Sequence, residues 1–237
     1  MLRRLICASM GIGLLWLPTA NAGEPGAKWL DSFGVNEKGL SSTGRNDYFI
    51  FEPGYQLVFE GKEYSAPVQL TITVLNTTKQ VDGVEARVVE ERETVSGKLA
   101  EVSRNYFALD PTTHDIYYFG EDVDMYKDGK VVNHDGSWLS GVNGAKYGRA
   151  MSRSPRVGER YSQEVAPGIA MDRAETVSTN EIIRTPAGVF GHCVKIEETT
   201  PLEPKSKEYK YYAPQVGLIQ DGDLKLVKHG HLAYEPR

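Results

Sequence analysis

His229-Gly230-His231 places two imidazoles two residues apart. On an extended strand, positions i and i+2 share a face, so His229 and His231 are spaced to hold one copper or zinc ion. In a frayed edge near the chain end they would instead be solvated. A second constellation is acidic and aromatic: Tyr117-Tyr118-Phe119-Gly120-Glu121-Asp122-Val123-Asp124, with Trp138 beyond the next turns. Carboxylates beside aromatic rings are what a cleft for sugars, amines or cations presents. Tyr118, Glu121, Asp122 and Trp138 are therefore the candidate ligand-binding residues. The same residue types also suit the rim of an all-β core, where Tyr buries its ring and keeps its hydroxyl wet. His114-Asp115 and His134-Asp135 each sit in a turn after a strand, and form a joint site only if those turns meet. Glu197-Glu198 and Glu208 are candidates for acid–base pairing, but their separation in space does not follow from their separation in sequence.

No dedicated catalytic motif accompanies these groups. The chain has no G-x-S-x-G, S-x-x-K, H-E-x-x-H or C-x-x-C. Asp122-Val123-Asp124 begins like a calcium loop, yet Tyr126 and Lys127 stand where a ligand and the turn glycine belong. No catalytic residue and no cofactor is assigned, and the balance leans away from an enzyme.

The elements that must carry these residues are strands. Leu70, Ile72 and Val74 alternate with Gln69, Thr71 and Thr73, and after Asp82-Gly83 the residues Val84, Ala86 and Val88 alternate with Glu85 and Arg87. This period of two marks half-buried strands, and Asp-Gly between two such runs marks a tight hairpin whose turn positions tolerate positive φ. Ser96-Gly97, Asp128-Gly129, Asp135-Gly136 and Gly222 punctuate the chain in the same way. Arg173 to Arg184 is the best helical candidate, but Thr176, Val177, Thr179, Ile182 and Ile183 favour strand. A weak internal repeat aligns Val89-Glu90-Glu91 with Ile196-Glu197-Glu198, and Tyr106-Phe107-Ala108 with Tyr211-Tyr212-Ala213. If it reflects duplication, two similar curved sheets at 47–136 and 157–237 face each other across a shared core or cleft, joined by Ser137 to Arg156.

Residues 1–22 read as an export signal: Arg3-Arg4, a mostly apolar stretch from Leu5 to Leu17, then Ala20-Asn21-Ala22. That stretch is shorter than the ~20 apolar residues a membrane span needs. Cys7 lies too early to anchor a lipid, so neither a membrane span nor a lipid anchor is expected. Residues 23–46 form a leader into a single domain at 47–237. The formal charge is −5 at pH 7 and becomes more negative once Arg3 and Arg4 leave, which argues against nucleic acid or anionic lipid as partner. After processing Cys193 is the remaining cysteine, read as a small buried side chain in a strand.

The second half of the chain carries the blocks Pro155-Arg156-Val157-Gly158, Tyr161, Gln163-Glu164, Pro167-Gly168, Asp172, Glu175, Thr200-Pro201-Leu202-Glu203-Pro204, Lys210-Tyr211-Tyr212-Ala213-Pro214 and Val216-Gly217-Leu218. Between about Ser103 and Val227 the chain resembles a family of exported bacterial proteins, some lipid-anchored, that share the Pro-Leu-Glu-Pro and Tyr-Tyr-Ala-Pro-x-Val-Gly blocks. The resemblance implies an exported, β-rich architecture. It implies no activity and no site residues.

The expectation is an all-β domain of antiparallel sheets, a sandwich or an incompletely closed barrel, exported to the periplasm or secreted. Its leading role is non-catalytic: a ligand- or partner-binding envelope protein that holds a small molecule or a protein. The alternatives are a hydrolase built on the acidic-aromatic region and a purely structural interaction module.

Overall fold

In a computed structural model that describes residues 28–232, the chain is almost entirely strand. The export signal expected at 1–22, the start of the leader, and residues 233–237 lie outside the described residues. A small hairpin pairs β1 (Arg45–Asn46) with β2 (Phe49–Ile50). A meander follows through β3 (Tyr55–Glu63), β4 (Ala66–Val81), β5 (Val84–Val95), β6 (Lys98–Leu109) and β7 (Ile116–Lys127). Three strands then pair back onto β7: β8 (Lys130–Asn133), β9 (Trp138–Leu139) and β10 (Lys146–Met151). The short β11 (Arg160–Ser162) and β12 (Glu164–Val165) come next. The chain ends in a second meander: β13 (Arg173–Thr185), β14 (Gly188–Thr200), β15 (Glu203–Ala213), β16 (Gly217–Asp221) and β17 (Leu224–His231).

The main sheet runs β11-β13-β14-β15-β16-β17-β3-β4-β5-β6-β7-β10-β12, antiparallel throughout. Its two ends are neighbours in the chain, separated by Gln163 alone. The segment 160–165 pairs with β13 on one edge and with β10 on the other, so the sheet curls into a nearly closed barrel. Of the two architectures expected, the barrel is the one formed. The two halves do not face each other as separate sheets; β17 pairs with β3 and makes them one surface. Ser137 to Arg156 is more than a connector, because β10 within it is part of the wall.

The hairpins form where the turn chemistry places them. Asp82 and Gly83 take φ of 52° and 81°, Ser96 and Gly97 of 51° and 77°, and Asp128 and Gly129 of 52° and 76°. These are paired left-handed positions, whose twist matches that of the flanking strands. Arg173 to Thr185 is a strand, as its β-branched residues require.

Pairing registers repeat between the two meanders. Val89 stands opposite Asn105, and Ile196 opposite Lys210. The next pairing breaks register once in each unit, between Tyr106 and Phe107 and between Tyr211 and Tyr212. On the other edge Val74 faces Val89 and Thr176 faces Ile196, each immediately before another shift. Strands β4–β7 and β13–β16 are thus equivalent in register, one for one.

The core is divided by the sheet. Inside the barrel Phe51, Tyr55, Phe59, Val89, Phe107, Ile116, Tyr118 and Ile219 are buried in one cluster, which also takes in Trp138 and Cys193. On the outside Val84, Ala86, Val88, Tyr106, Tyr117 and Phe119 form a second cluster, covered by Phe33, Val35 and Leu40. The leader is therefore a strap. Leu30 bonds through its backbone to Arg160 and Ser162, and Ser41 pairs with Leu109. By sealing an apolar outer face it leaves the inner face free to be polar.

Candidate functional site

The barrel encloses a cavity of about 800 Å³. Its size follows from the strand number, since side chains fill a barrel of about eight strands and leave room in larger ones. The wall from β3 and β4 is apolar, with Tyr55, Leu57, Leu70, Ile72 and Val74 exposed to the hollow. The remaining strands turn carboxyls inward: Glu91, Glu121, Glu164, Glu198 and Asp221 are among them. Among the described residues that line the cavity, Lys210 is the one Lys, Arg or His.

A bulge decides which acids of the expected acidic-aromatic site point in. Strict alternation would put Tyr118, Gly120 and Asp122 on one face. The register shift opposite Tyr106 and Phe107 leaves Phe119 as an extra residue, next to Gly120 whose φ is 141°. Tyr118 faces the cavity, and so do Glu121, Val123 and Met125. Asp122 is turned outward, where it accepts hydrogen bonds from Lys79 Nζ at 2.7 Å and the Tyr106 hydroxyl at 2.5 Å. Those donors hold its carboxyl below the usual range despite partial burial. Trp138 packs edge-on against Tyr118 at 5.1 Å and, with Asp122, lines a separate recess of about 240 Å³. Of the four expected ligand-binding residues, Tyr118 and Glu121 share the large cavity, while Asp122 and Trp138 share the smaller one.

The cavity acids fall into two electrostatic classes. Burial would raise Glu198, but Lys210 Nζ lies 2.9 Å from its Oε2 and holds it below the usual range. The Gln163 amide donates to the other oxygen at 2.9 Å. Lys210 is itself raised, because Asp221 (3.8 Å away) and Glu198 outweigh its burial. In the opposite class burial dominates. Burial pushes Glu91 up to about 7 against the opposing charge of Lys210, with the charges of Asp221 and Glu101 adding to the rise. Burial and the Glu91 charge push Glu121 up to about 8. Glu164 is raised well above the usual carboxylate range by burial and the charge of Asp172. Tyr118, whose hydroxyl donates to Asn105 Oδ1 at 2.9 Å, lies within the field of all three.

The other candidates find different partners. His229 packs against Phe190 at 6.2 Å between ring centres, whereas His231 lies against Tyr55 at 5.2 Å with Nε2 3.5 Å from Glu52. Among the described residues no three His, Cys, Asp or Glu side chains assemble into a metal site. His114-Asp115 precedes β7 and His134-Asp135 pairs near its far end, so those turns do not meet. Asp115 binds Arg149, and His134 binds Asp124. Glu197 points outward to Lys207 and Tyr209, away from Glu198. Glu208, opposite Glu198 across the strands, is raised to about 7 by burial and Asp221. Sequence reasoning passed over Glu91, Glu164 and Lys210 as site residues; the aligned blocks at Glu91 and Glu198 were a signal for the first of them.

Comparison with protein-family models, curated proteins and solved structures finds no match to this chain.

Proposed function

We propose that this chain is an exported, non-catalytic binding protein that carries a small amphiphilic molecule inside its barrel. The observation that carries the reading is the cavity of about 800 Å³ with one apolar and one acidic side. Protein interiors are close-packed, and a space of this size falls within the ~300–1,000 Å³ of ligand pockets. The strap of residues 30–41 supports the same reading, because it supplies an outer apolar core while the inner wall stays unfilled. The export signal expected at 1–22 makes the envelope the place of action.

The test is native mass spectrometry of the exported protein with organic extraction, together with titration of the neutral fluorophore N-phenyl-1-naphthylamine. Retained small molecules, or fluorophore uptake that Ile72→Trp abolishes by filling the cavity, are the expected results. A bare chain that also fails to take up the fluorophore would sink the reading. Glu121, raised to about 8, is also poised as a general acid, which favours hydrolysis as a second reading. That reading expects cleaved ligand in the same spectra, lost in Glu121→Gln.

A further inference from the structure

The two register-equivalent meanders allow one half of the barrel to be read against the other. Glu91 on β5 corresponds to Glu198 on β14, and Glu121 on β7 to Asp221 on β16. All four face the cavity. Between the second pair, β15 places the ammonium of Lys210 at 2.9 Å from Glu198 and 3.8 Å from Asp221. At the equivalent position β6 carries Asn105, opposite Val89 as Lys210 is opposite Ile196. Asn105 is neutral, and its amide serves Tyr118, Val89 and Ser103. The first pair of carboxyls thus has the geometry of the second with no cation on the strand between them, although the charge of Lys210 also acts on Glu91.

A third carboxyl lines the same cavity from the closing seam, within the field of Glu121. Glu164 is 2 % exposed and accepts the Asp172 backbone N–H through Oε1 at 2.6 Å. Its Oε2 has no hydrogen-bond partner among the described residues, and the residue lines the cavity. Burying a polar oxygen without a partner is costly, and a carboxylate without a counter-charge more so. The second meander meets that cost with Lys210. In the first, β6 supplies the neutral Asn105 instead, and leaves that place to a cation carried by the ligand.

We propose that Glu91, Glu121 and Glu164 bind the ammonium group of the cavity's ligand, making the barrel selective for a primary amine on an apolar chain. This rests on the carrier reading above and names its ligand class. An ammonium has three donors, one for each carboxyl. Its chain would lie along Leu57, Leu70 and Ile72 on the apolar wall.

The test compares dodecylammonium chloride with dodecanol, both below self-association, as displacers of N-phenyl-1-naphthylamine at pH 8. The two share a tail and differ in the head. Dodecylammonium should displace the fluorophore at a concentration at least about tenfold lower, a preference of ~1.4 kcal/mol. In Glu91→Gln/Glu121→Gln the preference should vanish while dodecanol displacement is unchanged. Should that variant fail to fold, Asn105→Lys serves instead: it installs in the first meander the ammonium that Lys210 supplies in the second. Equal displacement by both amphiphiles in the wild type overturns the ammonium site and leaves the carrier reading standing. A preference that survives the double variant, or Asn105→Lys where that stands in for it, overturns the site as well. Failure of the fluorophore and both amphiphiles to enter overturns the carrier reading, and the site with it.

Discussion

Lys210 shows how much one side chain holds in this interior. It is 5 % exposed, and its ammonium bonds Glu198, which has no exposed surface. Removing one partner of a buried ion pair strands the other charge at a cost of about 3–5 kcal/mol, more than the pair contributes over an apolar replacement. Lys210→Met should therefore lower stability by about that amount in urea at pH 7. Adding Glu198→Gln should recover most of the loss, since the stranded charge is then gone. The loss in the single variant should also shrink towards pH 5, where Glu198 regains a proton. An equal loss in the single and double variants would show that packing of the lysine stem, not the ion pair, is what matters.

The barrel closes where β10 crosses the segment 160–165. A Cβ on Gly148 would collide there with the carbonyl oxygens of Ser162 and Gln163. Gly148→Ala should part the strands at this seam, costing about 1–3 kcal/mol as overpacking does. Hydrogen exchange should rise first at Lys146–Met151 and Arg160–Ser162; a uniform rise, or protection at those strands equal to wild type, would mean the seam is not the weak line. The strands themselves were legible because alternation and Asp-Gly or Ser-Gly turns are local signals. The Tyr64-Ser65 turn was not, since neither residue is glycine although φ is 46° and 87°. The site was legible only in part for a related reason. A single bulge separates Glu121 from Asp122, and a bulge leaves no mark on a two-residue pattern. Likewise Glu90-Glu91-Arg92-Glu93 reads as a solvated edge, because closure of the barrel is what turns Glu91 and Glu93 into an enclosed space. The aligned blocks at 89–91 and 196–198 carried that information, but only the pairing register shows that their second glutamates face one cavity.

Across the whole molecule, an interior lined with carboxyls makes stability depend on pH in a direction set by which groups are raised. Glu91 at about 7, Glu121 at about 8 and Glu208 at about 7 lie above the ordinary 4.5 of a glutamate. A carboxyl raised on folding favours the folded state fully below its unfolded value, and that contribution is lost as pH climbs through its folded value. The groups facing Glu91 and Glu121 are Glu101, Tyr118, Glu164, Lys210 and Asp221; Asp221, Lys210 and Glu198 face Glu208. Lys210 keeps its proton throughout the range. Glu52, Asp122 and Glu198 are held low and act oppositely, their contribution disappearing as pH falls below about 4.5. The melting temperature should thus peak near pH 5–6 and fall by several degrees by pH 8.5, a span where unperturbed carboxylates would leave it flat. Glu91→Gln/Glu121→Gln should flatten the alkaline limb, since an amide has no proton to lose. Dodecylammonium should raise the melting temperature more at pH 8.5 than at pH 5.5, because it replaces protons that the carboxyls have given up. A wild-type profile flat from pH 5.5 to 8.5 would mean that the cavity solvates its carboxylates with water, and the need for a cationic ligand would fall with it.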